Sequence, residues 1–178
     1  YAVENTARGA SAIIRNCTVE YNRARSLLIS TPGDVLIENC RFSSMMAGIR
    51  ICGDANYWFE SGNTRNVVIR NNSFTDLGIG GREPQAILQI DPIIPKDART
   101  NDFFYHDRIV FENNIVSTFD AQVIYTFSFA VTSRLSGMIS RNGRKTPRSA
   151  YTIVWRWSMI RMLRSWILQI LSFFRVDI

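Results

Sequence analysis

The stretch Ile69-Arg70-Asn71-Asn72-Ser73-Phe74 is one copy of a short unit that recurs four times along this chain. The shared pattern is an apolar residue, a charged residue, Asn, then Cys or Asn, any residue and an apolar residue. The other copies are Ile14-Arg15-Asn16-Cys17-Thr18-Val19, Ile37-Glu38-Asn39-Cys40-Arg41-Phe42 and Phe111-Glu112-Asn113-Asn114-Ile115-Val116. The central asparagines are 23, 32 and 42 residues apart, which indicates a basic turn of 23 residues with progressively longer insertions.

A second β-rich run follows each unit. These runs are Leu27-Leu28-Ile29, Gly48-Ile49-Arg50-Ile51, Ala86-Ile87-Leu88-Gln89-Ile90 and Gln122-Val123-Ile124-Tyr125. Short alternating strands between turn residues predict a solenoid whose coils stack at the strand spacing of about 4.8 Å. We therefore predict an all-β chain, a right-handed parallel β-helix of about four coils, the alternative being four unrelated surface turns.

The Asn residue that all four copies of the unit share suits a sharp corner of the backbone. Asn tolerates the left-handed backbone conformation, and its amide can bond to the Asn above and below it, so we predict an asparagine ladder. Cys17 and Cys40 occupy equivalent places in consecutive coils. Their parallel side chains favour a buried thiol stack over a disulfide.

The connections between coils lengthen along the chain. Coils 1 and 2 are joined by the tight turn Thr31-Pro32-Gly33-Asp34, whereas residues 53–62 and 91–107 form longer insertions. Both insertions leave the same edge of the second strand, and insertions that accumulate on one face of a solenoid mark its binding face.

Two carboxylates begin these insertions. Aligning Ile51 with Leu88 places Asp54 directly against Asp91 on the neighbouring coil, with backbones roughly 5 Å apart. Like charges at that distance separate into one acid and one base. We therefore predict Asp54 and Asp91 as a catalytic pair.

The first insertion also carries Glu60, a third catalytic candidate, beside the aromatic residues Tyr57, Trp58 and Phe59. Flat rings beside carboxylates suit a sugar, so Tyr57 and Trp58 are predicted to bind substrate. The alternative is that Trp58 and Phe59 fold under as a loop core and Glu60 caps a turn.

Arginines flank the same strands. Arg25 precedes the second strand of coil 1 and is a candidate substrate contact, the alternative being an ordinary solvated side chain. Arg50 lies between Ile49 and Ile51, where substrate contact and a salt bridge to a stacked acid are both open. His106 is the only histidine and no metal-ligand spacing is present, so we predict neither metal nor cofactor.

Four stretches resemble the bacterial α-1,3-galactosidases that cleave blood-group-B-type ends. They are Asn22-Arg23-Ala24-Arg25 through Ser30-Thr31-Pro32-Gly33, Phe42-Ser43-Ser44-Met45-Met46-Ala47-Gly48-Ile49, Gly53-Asp54-Ala55-Asn56-Tyr57-Trp58-Phe59-Glu60-Ser61-Gly62 and Val67-Val68-Ile69-Arg70-Asn71-Asn72. The similarity covers roughly residues 10–128. Its most specific part is Asp-x-x-x-Trp-Phe/Tyr-Glu-Ser-Gly, which begins at Asp54.

The resemblance implies a secreted or periplasmic glycoside hydrolase that removes terminal α-1,3-linked galactose with inversion and needs no metal. Inversion uses an acid and a base whose carboxyl groups lie about 6.5–9.5 Å apart. The family uses acids at the Asp54 position and near Asp91, often with a second acidic neighbour. Here Gly53 precedes Asp54 and Ile93 follows Pro92, so the division between acid and base stays open.

The charge of this chain is unevenly divided. The whole chain carries +6, but residues 1–120 hold 12 basic and 14 acidic side chains, and residues 121–178 hold 9 and 1. The basic character therefore belongs to the tail and does not indicate nucleic-acid binding. The longest apolar tail segment, from Trp166 to Phe174, is too short to span a bilayer, so a membrane partner is not expected.

We divide the chain into a partial β-helix over residues 1–135 and an atypical basic, Trp-rich tail over residues 136–178. Met138-Ile139-Ser140-Arg141-Asn142 is a faint trace of another repeat. A reading-frame shift near residues 128–150 explains the loss of pattern, and a native helix from Tyr151 to Arg175 is the alternative. The chain begins at Tyr1 without Met or an apolar signal region, so we expect an excerpt of a longer product.

Two other functions stay open, besides an inactive truncated fragment. A polysaccharide lyase on this fold would need clustered acids that bind a cation, and a basic proton acceptor. A carbohydrate-binding β-helix would perform no turnover. In each case the partner is an oligosaccharide or glycan, and the oligomeric state is not predicted.

Overall fold

The structure is a computed structural model that describes residues 5, 7–54, 57–58, 62–80, 85–93, 105–118, 122–126, 131–136, 138–142 and 151–153. These residues form fifteen strands and no helix. The strands are β1 (Ala12–Arg15), β2 (Thr18–Asn22), β3 (Leu27–Ile29), β4 (Asp34–Glu38), β5 (Arg41–Ser44), β6 (Ile49–Ile51), β7 (Asn66–Arg70), β8 (Ser73–Thr75), β9 (Ala86–Ile90), β10 (His106–Glu112), β11 (Ile115–Thr118), β12 (Gln122–Thr126), β13 (Val131–Ser136), β14 (Met138–Asn142) and β15 (Tyr151–Ile153).

Successive strands along the chain belong in turn to the first, the second and the third of three sheets. The first sheet has the order β1-β4-β7-β10-β13, the second β2-β5-β8-β11-β14 with β15 at its end, and the third β3-β6-β9-β12. All pairs are parallel except β14 with β15. Three strands therefore make one coil, which confirms the predicted parallel β-helix.

The repeat unit sets the register of the first sheet. Ile14 lies opposite Ile37, Ile37 opposite Ile69, and Ile69 opposite Phe111. Inward side chains from the three sheets form one apolar cluster. Equivalent residues of the unit thus stack as the sequence alignment predicts.

We predicted that one asparagine of the unit forms both the corner and the ladder, but two adjacent residues share these roles. Asn16, Asn39, Asn71 and Asn113 adopt left-handed φ angles of 53–58°, which confirms the corner. The ladder, however, is built by the next residue: Asn114 Oδ1 accepts from the backbone N–H of Asn72 at 2.9 Å, and Asn72 Oδ1 accepts from that of Cys40 at 2.9 Å. The predicted ladder of the first asparagine is therefore wrong by one position.

Cysteine takes the ladder position in the first two coils. Cys40 is buried and its thiol lies 3.6 Å from the Ile14 carbonyl oxygen, equivalent to the bond from Asn72 Nδ2 to the Ile37 carbonyl at 3.1 Å. Its sulfur also accepts from the backbone N–H of Cys17 at 3.4 Å. Both thiols are free, and Cys17 is exposed, so the predicted buried stack holds for Cys40 alone.

The charged position of the unit forms a row of alternating sign on the first sheet. Arg15, Glu38, Arg70 and Glu112 lie opposite one another in that order. Glu38 pairs with Arg15 on one side and with Arg70, at 2.7 Å, on the other. The hydrogen bond from Arg70, and then that from Arg15, hold the pKa of Glu38 below its ordinary value.

The tail continues the solenoid for a short distance. β13 and β14 extend the first and second sheets, and the faint repeat trace lies on β14, where Ile139 pairs with Ile115. Tyr151–Ile153 is a strand antiparallel to β14, so the alternative of a helix starting at Tyr151 is wrong there. Residues 154–178 lie outside the described residues, and the frame-shift hypothesis stays a prediction.

No helix that is long and apolar enough to cross a membrane occurs in the segments that the structure describes.

Candidate active site

The candidate carboxylates lie where strands of the third sheet end and the chain turns back toward the first. Asp54 follows β6 by three residues and Asp91 follows β9 directly. β6 and β9 are neighbours in the sheet. The two long insertions therefore leave the same edge, as predicted.

The register between these strands differs from our alignment. Ile51 lies opposite Ile90 rather than Leu88, Asp54 bridges to Ile93, and the Asp91 N–H donates to the Ile51 carbonyl at 3.2 Å. The predicted direct stacking of Asp54 on Asp91 is therefore wrong by two residues. Leu88 and Ile90 both face inward, because side chains alternate along a strand with a period of two residues. The sequence pattern therefore fits a register in which Ile51 is opposite Leu88 as well as one in which it is opposite Ile90.

The corrected register still leaves the two carboxylates close together. Strands about 4.8 Å apart and a rise of about 3.3 Å per residue put the Cα atoms of Asp54 and Asp91 about 8 Å apart on one face. Cys52 precedes Asp54 by two residues. Burial raises the pKa of its thiol to about 11, and the nearby charge of Arg50 lowers that pKa while those of Asp91 and Asp54 raise it. Both acids therefore share one neighbourhood.

Asp91 is held by two side chains of the outer sheet face. Arg50 Nε donates to Asp91 Oδ1 and Arg50 Nη2 to Oδ2, both at 2.7 Å. Gln89 Nε2 donates to Oδ2 at 2.9 Å. Of the two possibilities for Arg50, the structure shows the salt bridge to an acid of the neighbouring coil. A substrate contact by Arg50 stays a prediction.

Asp54 is completely buried, and its Oδ1 accepts from the backbone N–H of Tyr57 at 2.6 Å. This bond ties the carboxylate to the start of the aromatic loop. Gly53 permits the turn, because a Cβ there would lie 2.5 Å from Tyr105 Oη and 2.6 Å from the Gly62 carbonyl oxygen. The backbone before Asp54 is thus enclosed by both insertions.

The aromatic pair faces solvent. Tyr57 and Trp58 are each 68% exposed, and their rings meet edge to face with centroids 5.0 Å apart. The alternative that Trp58 folds under as a loop core is therefore wrong. Phe59 and Glu60 lie outside the described residues, so the prediction for Glu60 is not tested.

Arg25 lies before β3, at the opposite end of the third sheet from Asp54. Its neighbour on the next coil is Ala47, because Leu27 pairs with Ile49, and Ala47 precedes Asp54 by seven residues in the sequence. A substrate contact by Arg25 stays a prediction.

Two buried polar residues, Gln89 and His106, are not among the predicted site residues. Gln89 is a polar outward residue within an apolar run, a signal that was present in β9. His106 was considered only as a metal ligand, yet it is buried at the start of β10, where its Nδ1 accepts from the Thr64 N–H at 3.1 Å. The described residues contain no group of three or more His, Cys, Asp or Glu that could hold a metal ion.

We expect His106 to make the fold acid-sensitive. Burial lowers the pKa of His106 from 6.5 to about 4, so between these pH values the unfolded chain binds a proton that the folded chain does not. Stability is therefore lost as pH falls from 6.5 toward 4, and the loss levels off below. We expect His106 to account for about 3 kcal/mol of the decrease in the free energy of unfolding between pH 7 and pH 4, as measured by urea unfolding at the two pH values.

The control is His106→Asn, which keeps an acceptor for Thr64 but does not titrate. Its stability should change less between the two pH values, because only the remaining carboxylates contribute. Equal pH dependence in the variant and the wild type would contradict the assignment.

The chain matches known proteins over most of its length. A family model described as the right-handed β-helix region matches residues 3–135. The chain is 39% identical to alpha-1,3-galactosidase B of Bacteroides thetaiotaomicron over 137 residues, covering 72% of this chain and 21% of the relative. It is 39% identical to alpha-1,3-galactosidase B of Akkermansia muciniphila, covering 71% and 16%. It is 34% identical to alpha-1,3-galactosidase A of Bacteroides fragilis, covering 79% and 22%.

The chain thus spans about a sixth to a fifth of the length of these relatives. The family match, in contrast, covers all four repeat units and the strands from β1 to β12. The chain belongs to the right-handed β-helix family.

Proposed function

We propose that this chain is part of a glycoside hydrolase that removes terminal α-1,3-linked galactose with inversion. The observation that carries the proposal is the placement of Asp54 and Asp91 at one edge of the third sheet, offset by two residues on adjacent strands. Relatives named alpha-1,3-galactosidase support the same activity. The proposed partner is a glycan, and the proposed location is secreted or periplasmic.

The corrected register favours inversion. Retaining glycosidases hold their carboxyl groups about 5 Å apart, whereas inverting enzymes leave about 6.5–9.5 Å for a water molecule. Direct stacking would put the two backbones at the shorter spacing. The offset of two residues puts the Cα atoms about 8 Å apart, so two carboxyl groups that project in parallel from the sheet are separated by about the distance that an inverting enzyme needs.

We assign Asp91 as the base and Asp54 as the acid. The Arg50 guanidinium contacts both oxygens of Asp91 and complements the negative carboxylate that a base needs to take a proton from water. Asp54, the other carboxylate of the pair, is completely buried and accepts from the backbone N–H of Tyr57. With Asp91 as the base, Asp54 is left to protonate the leaving oxygen.

The exposed aromatic pair supplies a surface for the sugar. Tyr57 follows Asp54 by three residues and is bonded to it through its backbone, which keeps the start of the aromatic loop next to Asp54. The C–H faces of galactose pack on such rings. Glu60 remains proposed as a third carboxylate on the same loop.

The test is product analysis with this chain. We expect release of galactose from a nitrophenyl α-galactoside and from a terminal α-1,3-galactosyl disaccharide, with the β-anomer appearing first by proton NMR. The α-anomer as first product would overturn inversion. Binding without release would favour the carbohydrate-binding alternative, and activity lost to chelators would favour a lyase-type site.

A further inference from the structure

Gln89 is a buried amide next to the proposed base. It lies on β9, opposite Arg50 of β6, and only 4% of it is exposed. Its Nε2 donates to Asp91 Oδ2 at 2.9 Å. Gln89 and Arg50 therefore approach the same carboxylate from adjacent strands.

Chemistry determines which way the amide points. Asp91 already accepts two hydrogen bonds from the Arg50 guanidinium, so it presents only acceptors to Gln89. The amide nitrogen must then face Asp91, and the carbonyl oxygen must face away from it. The orientation is thus a consequence of the Arg50 ion pair.

The carbonyl oxygen of Gln89 has no donor among the described residues. Oε1 is buried, and no hydrogen bond reaches it from the part of the chain that the structure describes. A buried acceptor that has lost water and gained no donor is costly, and such groups are rare outside functional sites. The neighbouring Arg50 and Asp91 side chains keep 18% and 10% of their surface exposed, which provides an approach to the cluster.

We propose that Gln89 is a substrate-binding residue whose Oε1 accepts a hydrogen bond from one hydroxyl of the bound sugar. This inference rests on the proposed function, since it requires a glycan beside Asp91. A hydroxyl suits the position because it is an uncharged donor, and the charge of Asp91 is already balanced by Arg50. A buried water molecule is the competing occupant and is distinguished by the test below.

The proposal predicts specificity for a hydroxyl. A site built to bond a substrate hydroxyl rejects the analogue that lacks it, because its own polar group is then left unpaired. We expect the wild-type chain to lose at least about 100-fold in kcat/KM with one monodeoxy nitrophenyl α-galactoside and much less with the others. The sensitive analogue identifies the hydroxyl that Gln89 binds.

The decisive comparison is Gln89→Met on the same set of monodeoxy substrates. The variant should hydrolyse the parent sugar and the sensitive deoxy analogue at rates within about fivefold of each other, because the bond is absent in both cases. An equal fall on every substrate, with the wild-type pattern kept, would overturn the proposal and assign Gln89 to holding Asp91 or a water.

Two further variants separate binding from positioning. Gln89→Glu keeps an acceptor but loses the donor to Asp91, so it should keep the wild-type preference while its overall rate falls. Gln85→Met is the matched control, because Gln85 Oε1 accepts from the backbone N–H of Ala47 at the other end of β9, at 3.1 Å. Its preference should stay that of the wild type.

Binding measurements keep this inference distinct from the proposed hydrolysis. If the wild-type chain releases no galactose, the hydrolase proposal fails, and calorimetric titration with galactose and its monodeoxy derivatives still reports on Gln89. Selective loss of affinity for one derivative, abolished in Gln89→Met, would support the inference. Equal affinity for all derivatives, or no binding by the wild type, would overturn it.

Discussion

Replacing Asp91 with Asn is expected to lower kcat/KM by about 10²–10⁴-fold on every α-galactoside, because the amide cannot take a proton from water. Replacing Asp54 with Asn should cost as much on the α-1,3-galactosyl disaccharide, whose leaving alkoxide needs a proton. It should cost far less on the nitrophenyl substrate, because nitrophenolate leaves unaided. Steady-state kinetics on the two substrates therefore separate the base from the acid.

The control for both variants is Asp76→Asn. Asp76 is exposed and has a φ angle of 50°, a left-handed conformation that Asn tolerates well, so this change should leave turnover unaltered. If Asp91→Asn spares the nitrophenyl substrate and Asp54→Asn does not, the two roles are reversed. If both variants keep full activity, the carboxylate pair is not catalytic.

Replacing Phe74 with Ala is expected to lower the free energy of unfolding by about 3–5 kcal/mol. Phe74 is fully buried, stacks on Phe42 with ring centroids 5.2 Å apart and lies 5.7 Å from Phe111. Each coil of a solenoid contacts only its neighbours. The loss of this ring therefore weakens the packing of the third coil against both adjoining coils.

Urea unfolding followed by circular dichroism measures this effect. Ile79→Ala is the control: Ile79 is 61% exposed in the same coil, so its truncation should change stability by no more than about 0.5 kcal/mol. A loss below about 1 kcal/mol for Phe74→Ala would mean that the phenylalanine stack does not stabilise the coil.

The corner of each coil could be predicted from the repeat unit, because it depends only on the backbone conformation that the Asn residue itself tolerates. The left-handed φ angles of Asn39 and Asn71 follow from the tolerance of Asn for that conformation. The residue that forms the ladder could not be predicted, since the unit has two adjacent polar residues and either of them fits the pattern. Only the stacking of coils turns Asn72 toward Asn114 and Cys40.

The candidate site shows the same division. Insertions at one edge, with Asp54 and Asp91 at their beginnings, could be predicted from the lengths of the connections. The pairing of Arg50 with Asp91 was one of two possibilities, because an outward arginine can reach either solvent or a neighbouring strand. The place of Arg25 at the start of the third sheet follows from the pairing of Leu27 with Ile49, and such a register between strands was not predictable from the sequence.

The sequence by itself therefore determined the coil, its corners and the edge that carries the insertions, because these depend on alternation and on local backbone preference. The tertiary structure alone decided that Ile51 pairs with Ile90. In this register Asp54 and Asp91 are offset by two residues, and Gln89 and Arg50 both bond to Asp91. The physical reason is that a slip of two residues leaves every side chain on its face, so only the hydrogen bonds between strands distinguish one register from the other.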